Sequence, residues 1–118
     1  MYWYAASIVV CVEFVDGNQN QFPIWENVVL IKASTDEEAL MKAESIGKES
    51  DGDEFVWEDR PAVWKYYGTR KLLLVDSGDD DISMPDGQEI TFSQMLLKSR
   101  DDLVKFVDGD EVDVIYER

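Results

Sequence analysis

Residues 1–14, MYWYAASIVVCVEF, alternate in the pattern of a long β-strand with apolar side chains on both faces. Side chains two positions apart lie on the same face of a strand, so the even-numbered positions form one surface. That surface, called the first face below, is entirely apolar or aromatic: Tyr2, Tyr4, Ala6, Ile8, Val10, Val12 and Phe14. The pattern predicts a strand over residues 2–15, with the first face against the core and Trp3 on the opposite side, called the second face.

A second strand, FPIWENVVLIKA at residues 22–33, follows a polar turn and is rich in β-branched and aromatic residues. Antiparallel pairing across the turn is expected to place Ile8 beside Val29. Slipping this alignment by one residue would bring Glu26 and Lys32 onto the first face, where burial forbids their charges. The two strands together therefore predict a hairpin with one apolar core face.

The next segment, STDEEALMKAESIGKE, carries the signals of a capped amphipathic helix. Thr35 is a favourable N-cap residue, and Glu38 completes a capping box. The apolar stripe consists of Ala39, Leu40, Ala43 and Ile46. We expect a helix over about residues 36–46, stopped by Gly47 and packed on the first face. If Leu40 is a core residue, its replacement by Ala should cost about 2–5 kcal/mol.

The rest of the chain is predicted to supply further strands and one short helix. EFVWE, PAVWKYYGTRKLLLV and EITFSQMLLK have strand-like composition, and Gly68 is a candidate bulge or bend. SRDDLVKFVDG predicts a short helix capped by Ser99 and stopped by Gly109. EVDVIYE is expected to close the chain as a strand with three side chains pointing inward: Val112, Val114 and Tyr116.

This order of elements predicts the α+β fold class, with one main helix and one short C-terminal helix on a mostly antiparallel sheet. The length of 118 residues fits a single domain over residues 1–118. The acidic loop at residues 76–87 is a candidate seam within it.

The charge is strongly unbalanced, with 26 acidic against 11 basic residues and a net charge of −15. Nucleic acids and anionic membranes are poor partners for such a chain, because both are bound largely through Lys and Arg. The field would instead attract a basic protein. Solubility is the plainer explanation of the same charge.

Cysteine usage and hydropathy favour a cytoplasmic location. Cys11 is the only cysteine, which excludes a disulfide within the chain and suits a reducing compartment. The opening residues lack the basic leading region of a signal peptide, and their apolar run is shorter than the roughly 20 residues of a membrane span.

The composition removes several kinds of catalysis. The chain contains no histidine, which excludes histidine-dependent triads and disfavours most zinc sites. Cys11 lies within an apolar strand and is expected to act as a small hydrophobe. No glycine-rich phosphate loop occurs. We expect no catalytic residues, no metal and no cofactor.

Two acidic features keep minor alternatives open. The run from Asp76 to Asp81 resembles a calcium loop, but Asp81 stands where an EF-hand needs Gly and Gly87 where it needs Glu. A solvated loop is favoured over a loose cation site. Glu13 and Glu26 are expected to be diagonal neighbours on the second face, where paired carboxylates can have divergent pKa values.

The second face carries the residues predicted to bind another molecule. Trp3, Val9, Val28 and Leu30 form an apolar group there, and Glu26 lies among them. Large apolar groups on a sheet face are seldom left in water. Cover by the C-terminal segment from about residue 89 is one solution. Contact with another chain is the other, and it is favoured because polar residues interrupt the apolar group as they do in mixed interfaces. A homodimer is its simplest form because two-fold symmetry lets one patch pair with itself.

Three segments resemble an uncharacterised bacterial family, a domain of unknown function. They are WYAA, ENVVLIKASTDEEALMKAESIGKE and the W-x-YYG segment at residues 64–68. The resemblance covers roughly residues 3–75 and includes the Ala-rich helix ending in Ile-Gly-Lys. It implies a small bacterial cytoplasmic protein without an assigned activity, and it carries over no site residues.

Two functions follow from these features. The leading one is a non-enzymatic acidic interaction module that neutralises a basic partner, as immunity proteins do. The alternative is a small-molecule-binding domain or minor enzyme that uses Trp and carboxylate residues. A deep pocket lined by Trp25, Trp57 or Trp64 would favour the alternative. A flat apolar patch would favour the interaction module.

Overall fold

The structure, a computed structural model, describes residues 1–76 and 86–116. It contains a six-stranded sheet in the order β3-β4-β1-β2-β5-β6, in which all neighbouring strands are antiparallel, and two helices. The predicted α+β class is confirmed. The elements are β1 Tyr2–Phe14, β2 Phe22–Ala33, α1 Asp36–Gly47, β3 Glu54–Trp57, β4 Arg60–Asp76, β5 Gln88–Leu97, α2 Arg100–Asp108 and β6 Ile115–Tyr116.

The central hairpin of β1 and β2 has the predicted faces but not the predicted register. Ile8 lies opposite Asn27 rather than Val29, a shift of two residues. A shift of two leaves every side chain on its face, so the burial pattern cannot detect it. The turn sets the register instead, where the Gln19 side chain accepts from the Phe14 N–H and donates to the Val12 carbonyl.

Helix α1 covers the first face, as predicted. The Thr35 side chain accepts from the Glu38 N–H at 3.1 Å, and the Tyr4 hydroxyl donates to the Asp36 carboxylate at 2.9 Å. The core cluster beneath the helix joins both strands to its two buried alanines and comprises Tyr4, Ala6, Ile8, Val10, Val29, Ile31, Ala33, Ala39 and Ala43. Tyr2, the first residue of β1, is 41% exposed, so its predicted burial is wrong.

Two predictions about α1 are corrected. Leu40 is 44% exposed, because the alanine side of the helix faces the sheet and Leu40 lies beyond it. Gly47 is the last helical residue, and Lys48 continues in right-handed geometry, so Gly47 is not a left-handed stop. A Cβ atom at Gly47 would lie 2.4 Å from the ring of Tyr66 and 3.0 Å from Ile8. Close packing on the sheet is what requires glycine there.

Strand β4 is irregular along its pairing with β1. The pairing skips one β4 residue at each of three points, which are Tyr67, Arg70 and Val75. Gly68, next to the first point, has a φ of +147°, so the predicted bulge is confirmed. Bulges change the direction in which side chains point. The irregularities at Tyr67 and Arg70 therefore affect which β4 side chains reach the second face.

The C-terminal segment covers the second face. Ser99 accepts from the Asp102 N–H, and Gly109 has a φ of +86°, so both predicted ends of α2 are confirmed. Leu103 and Phe106 of this helix pack with residues of three strands: Val9, Cys11, Phe22, Ile24, Met95 and Leu97. Val112 and Val114 are partly buried against this cluster. Tyr116 is 65% exposed because β6 is only two residues long, so its predicted burial is wrong.

The candidate seam at residues 76–87 falls mainly on residues 77–85, which lie outside the described residues. The single domain over residues 1–118 therefore stays a prediction. Neither helix of the described chain is long and apolar enough to cross a membrane.

Candidate functional site

The residues predicted to form an open patch on the second face are largely buried within the chain. Trp3, Val9 and Leu30 have exposed fractions of 2%, 0% and 6%, whereas Val28 and Glu26 are half-buried. Val9 lies in the cluster covered by α2. Of the two covers expected for this face, the C-terminal segment is the one that lies over part of it, and a single chain already buries most of the patch. A binding role for these five residues stays a prediction.

The two glutamates of the second face do not form a carboxylate pair. Glu13 accepts hydrogen bonds from the Tyr67 hydroxyl and from Arg100 at 2.9 Å. Arg100 also contacts the Tyr67 hydroxyl. Glu26 accepts from Arg70 at 3.1 Å. Each carboxylate thus has its own arginine, and the predicted diagonal pair is wrong because the register differs by two residues.

The protonation states of this cluster disfavour proton transfer. Burial alone would raise the pKa of Glu13, but hydrogen bonds from Tyr67 and Arg100 outweigh it and lower the pKa. Burial, and then the hydrogen bond to Glu13, raise the pKa of Tyr67. Glu13 is therefore ionised and Tyr67 protonated around neutral pH. Neither group is suited to serve as a general acid or base there.

The same arginines attach α2 to the sheet at both ends. Arg100 lies in the first turn of α2, and its bond to Glu13 holds that end on β1. At the other end, Arg70 donates to the Phe106 carbonyl at 2.9 Å and stacks on the Phe106 ring at 4.3 Å. A cation suits the C-terminal carbonyls of a helix. These arginines are structural, and their partners were missed because strand alternation does not anticipate the bulged positions of Tyr67 and Arg70.

Cys11 has the properties expected of a structural cysteine. It is fully buried, and its thiol contacts the Val12 carbonyl at 3.4 Å. Burial, and then the charge of Glu13, raise the pKa of the thiol far above neutrality. The thiolate needed for nucleophilic attack is therefore disfavoured, and the interpretation of Cys11 as a small hydrophobe is confirmed.

Within residues 1–76 and 86–116, no group of three or more Cys, Asp or Glu side chains is arranged to hold a metal ion. The calcium-like run from Asp76 to Asp81 lies outside the described residues after its first member.

The strongest candidate site lies on the first face, beyond the end of α1, where aromatic side chains cover the sheet. Trp25 of β2 packs edge-to-face against Trp57 of β3 and Trp64 of β4, with ring centroids 5.4 and 5.1 Å apart. Phe55 of β3 stacks on Trp64 at 4.8 Å. All four are half-buried, so part of each ring meets solvent. We call these four residues the tryptophan surface.

The backbone around this surface is fixed by a tight hairpin and a docked loop. Glu58 and Asp59 both have positive φ angles, 50° and 64°, and turn β3 back onto β4. The loop before β3 is bonded to Trp64 on both sides: the Gly52 N–H donates to the Trp64 carbonyl, and the Trp64 N–H donates to the Asp53 carbonyl. The tryptophan surface is thereby held in a defined geometry.

Acidic residues border the tryptophan surface. Residues 49–59 contain six acids and no basic residue: Glu49, Asp51, Asp53, Glu54, Glu58 and Asp59. The Asp51 carboxylate accepts from the Tyr66 N–H at 2.8 Å, which ties this loop to β4. A positively charged group approaching the aromatic rings would therefore meet negative charges on the neighbouring chain segment.

The cavity beside Trp57 is small. It has a volume of about 160 Å³, and Glu58, Arg60 and Gln94 also line it. Pockets that enclose small molecules commonly have volumes of about 300–1,000 Å³. In the described part of the chain, the cavity beside Trp57 therefore falls short of the deep tryptophan-lined pocket that would favour a small-molecule site, and the aromatic residues present a surface instead.

A family described as "Domain of unknown function (DUF4288)" matches residues 3–91. The chain belongs to this family. The resemblance to an uncharacterised family is thus confirmed, and the match extends beyond the expected residues 3–75 into β5. The whole tryptophan surface lies within the family domain, whereas α2 and β6 lie outside it. No curated protein and no solved structure matches the chain.

Proposed function

We propose that this member of the DUF4288 family is a non-enzymatic interaction module that binds a basic segment of another protein on its tryptophan surface. The observation that carries the proposal is the partly exposed cluster of Trp25, Trp57 and Trp64 beside the acidic residues 49–59. The role that this binding suggests is neutralisation of a basic partner, as immunity proteins achieve.

The chemistry of the surface suits Lys and Arg side chains. Ammonium and guanidinium groups are attracted to the faces of aromatic rings, most strongly to tryptophan. The chain already contains this contact nearby, since the Arg60 guanidinium lies 3.6 Å from the centroid of the Phe14 ring. The net charge of −15 would also increase the rate of encounter with a basic partner.

The aromatic composition further suits a protein partner. Tryptophan is enriched among the few interface residues that contribute most of the binding energy. Bacterial origin and a cytoplasmic location stay predictions from the sequence, and the partner class proposed here is compatible with both.

Titration with short peptides in which Lys or Arg alternates with Gly, followed by tryptophan fluorescence and calorimetry, tests the proposal. We expect saturable binding that weakens but persists between about 0.01 M and 0.15 M salt, as the screening length falls from about 30 to 8 Å. Trp57→Ala should reduce the affinity about tenfold or more.

The matched control is Phe92→Ala, which removes an aromatic side chain that is 57% exposed on β5. It should leave peptide affinity unchanged, and circular dichroism should show that both variants are folded. Equal affinities for the wild type and Trp57→Ala would show that the peptides respond only to net charge, and the proposal would be abandoned.

A further inference from the structure

The outer edge of β4 is only partly paired. Strand β3 pairs with the first four residues of β4, Arg60 to Val63, and the loop before β3 bonds to Trp64 and Tyr66. From Gly68 onward, the described residues provide no strand along this edge. Within residues 1–76 and 86–116, its outward-facing N–H and C=O groups therefore have no strand partner, which is the arrangement that accepts a strand from another chain.

Three consecutive large apolar side chains lie at this edge. Leu73, Leu74 and Val75 have exposed fractions of 59%, 61% and 55%. Leu73 lies opposite Ala5 and Leu74 opposite Tyr4, so the two leucines point to different faces of the sheet. Exposed apolar groups thus flank the free backbone on both sides, which is the combination that natural edge strands usually avoid.

The part of β4 that can accept a strand is short and regular. Between the irregularities at Arg70 and Val75, residues 71–74 pair with β1 without interruption. Lys71 is the one charged residue in this stretch. Four regular residues with flanking apolar groups are enough for a limited antiparallel contact, although bulges restrict its length.

The charge distribution favours a second copy of the chain over a basic protein at this edge. Residues 60–75 contain no acidic residue and hold four of the 11 basic residues. Two copies that each carry −15 repel one another elsewhere, and the repulsion is smallest where acids are absent. Lys71 would in turn repel a basic partner of the kind proposed for the tryptophan surface.

The segment is also compatible with pairing to itself. In an antiparallel pair with two-fold symmetry about Leu73, Leu72 of each copy lies opposite Leu74 of the other, and Lys71 lies opposite Val75. Such an arrangement places Leu72 against Leu74 and Leu73 against its own copy, and it keeps the two lysines apart.

We propose that two copies of this protein associate through antiparallel pairing of their β4 edges at residues 71–75, which joins their sheets into one. This proposal moves the predicted homodimer from the second face, which the chain itself covers, to the sheet edge. It does not rest on the tryptophan surface, because Trp64 lies at the opposite end of β4 and would remain accessible.

Light scattering coupled to gel filtration over a range of protein concentrations tests the association. We expect the wild type to approach the mass of a dimer as concentration rises, and Leu74→Lys to halve that mass while remaining folded. The matched control, Phe92→Lys, places the same charge at the opposite edge of the sheet and should stay dimeric. A wild type that is monomeric at all concentrations would overturn the proposal, as would a dimer that Phe92→Lys disrupts and Leu74→Lys does not.

Hydrogen exchange of the wild type gives a second readout that does not depend on the folding of a variant. Those amides of residues 71–75 that point away from β1 should exchange more slowly in the dimer than in the dilute monomer. A dimer in which these amides exchange at the monomer rate would exclude pairing through the β4 edge.

Discussion

The two faces of the sheet are covered in different ways. On the first face, α1 approaches closely through Ala39, Ala43 and Gly47, and the contact is apolar throughout its centre. On the second face, α2 inserts Leu103 and Phe106. Its start is held by the ion pair of Arg100 with Glu13, and its end by Arg70, which donates to the Phe106 carbonyl. The small residues of α1 permit a close apolar approach at its centre, and its charged contacts with the sheet, through Asp36 and Lys42, lie to the sides of that approach. The larger side chains of α2 leave partly buried polar positions beside the strands, and arginines occupy them.

The two covers also differ in their relation to the family. Helix α1 lies within the matched residues 3–91, whereas α2 lies beyond them. The helix that covers the first face is therefore part of the family domain. The helix that covers the second face lies in a segment outside the match.

The largest effect is expected from a cavity beneath α2. Leu103 is fully buried, so Leu103→Ala should lower the free energy of unfolding by about 2–5 kcal/mol. Leu40→Ala on α1 is the matched control, and because Leu40 is 44% exposed its cost should be below about 1 kcal/mol. Urea denaturation of the two variants measures the difference. Equal losses would contradict the assignment of α2 as the cover of the second face.

A smaller loss of stability is expected from a substitution at the contact between α1 and the sheet. The Cβ atom of Gly47→Ala would overlap the Tyr66 ring, and such overpacking costs about 1–3 kcal/mol. The better helix propensity of Ala returns up to about 1 kcal/mol. We expect a net loss of about 1–2 kcal/mol by urea denaturation. Ser45→Ala, at an exposed position of α1, should change stability by less than about 0.5 kcal/mol, and a more stable Gly47→Ala would show that Tyr66 moves aside easily.

The sequence predicts the elements and faces well because their causes are local. Alternation assigns the faces of β1 and β2, and the side chains of Thr35 and Ser99 identify where both helices begin. The predicted register of β1 and β2 differs from the observed one by two residues, because a shift of two leaves the faces unchanged and burial cannot detect it. The burial of Leu40 was also wrong, because the periodicity gives a stripe but not which side of the stripe meets the sheet.

The candidate site was predictable only in part. The sequence indicates Trp25, Trp57 and Trp64 as potential pocket residues, but their assembly depends on the pairing of β2, β3 and β4, which alternation alone cannot predict. For the second face, composition leaves cover by the C-terminal segment and contact with another chain both open, because a mixed composition is shared by interfaces and by faces with partly buried ion pairs. Only the position of α2 distinguishes the two.

The smallest effect is expected from the ion pair that attaches the start of α2. Glu13→Gln keeps an acceptor for Tyr67 and Arg100 but removes the charge, so it should lower stability by about 1 kcal/mol at neutral pH. The folded-state pKa of Glu13 lies below its unfolded value of about 4.3, so the stabilisation is complete above that value and is lost as pH falls through the folded-state pKa. The difference between wild type and variant should therefore be constant from about pH 6 to 8 and shrink in acid. Glu44→Gln, in an exposed pair with Lys48, is the control and should differ little from wild type throughout. If the Glu13 difference grew as pH fell, Glu13 would be protonated in the folded state, and an anionic anchor for α2 would be ruled out.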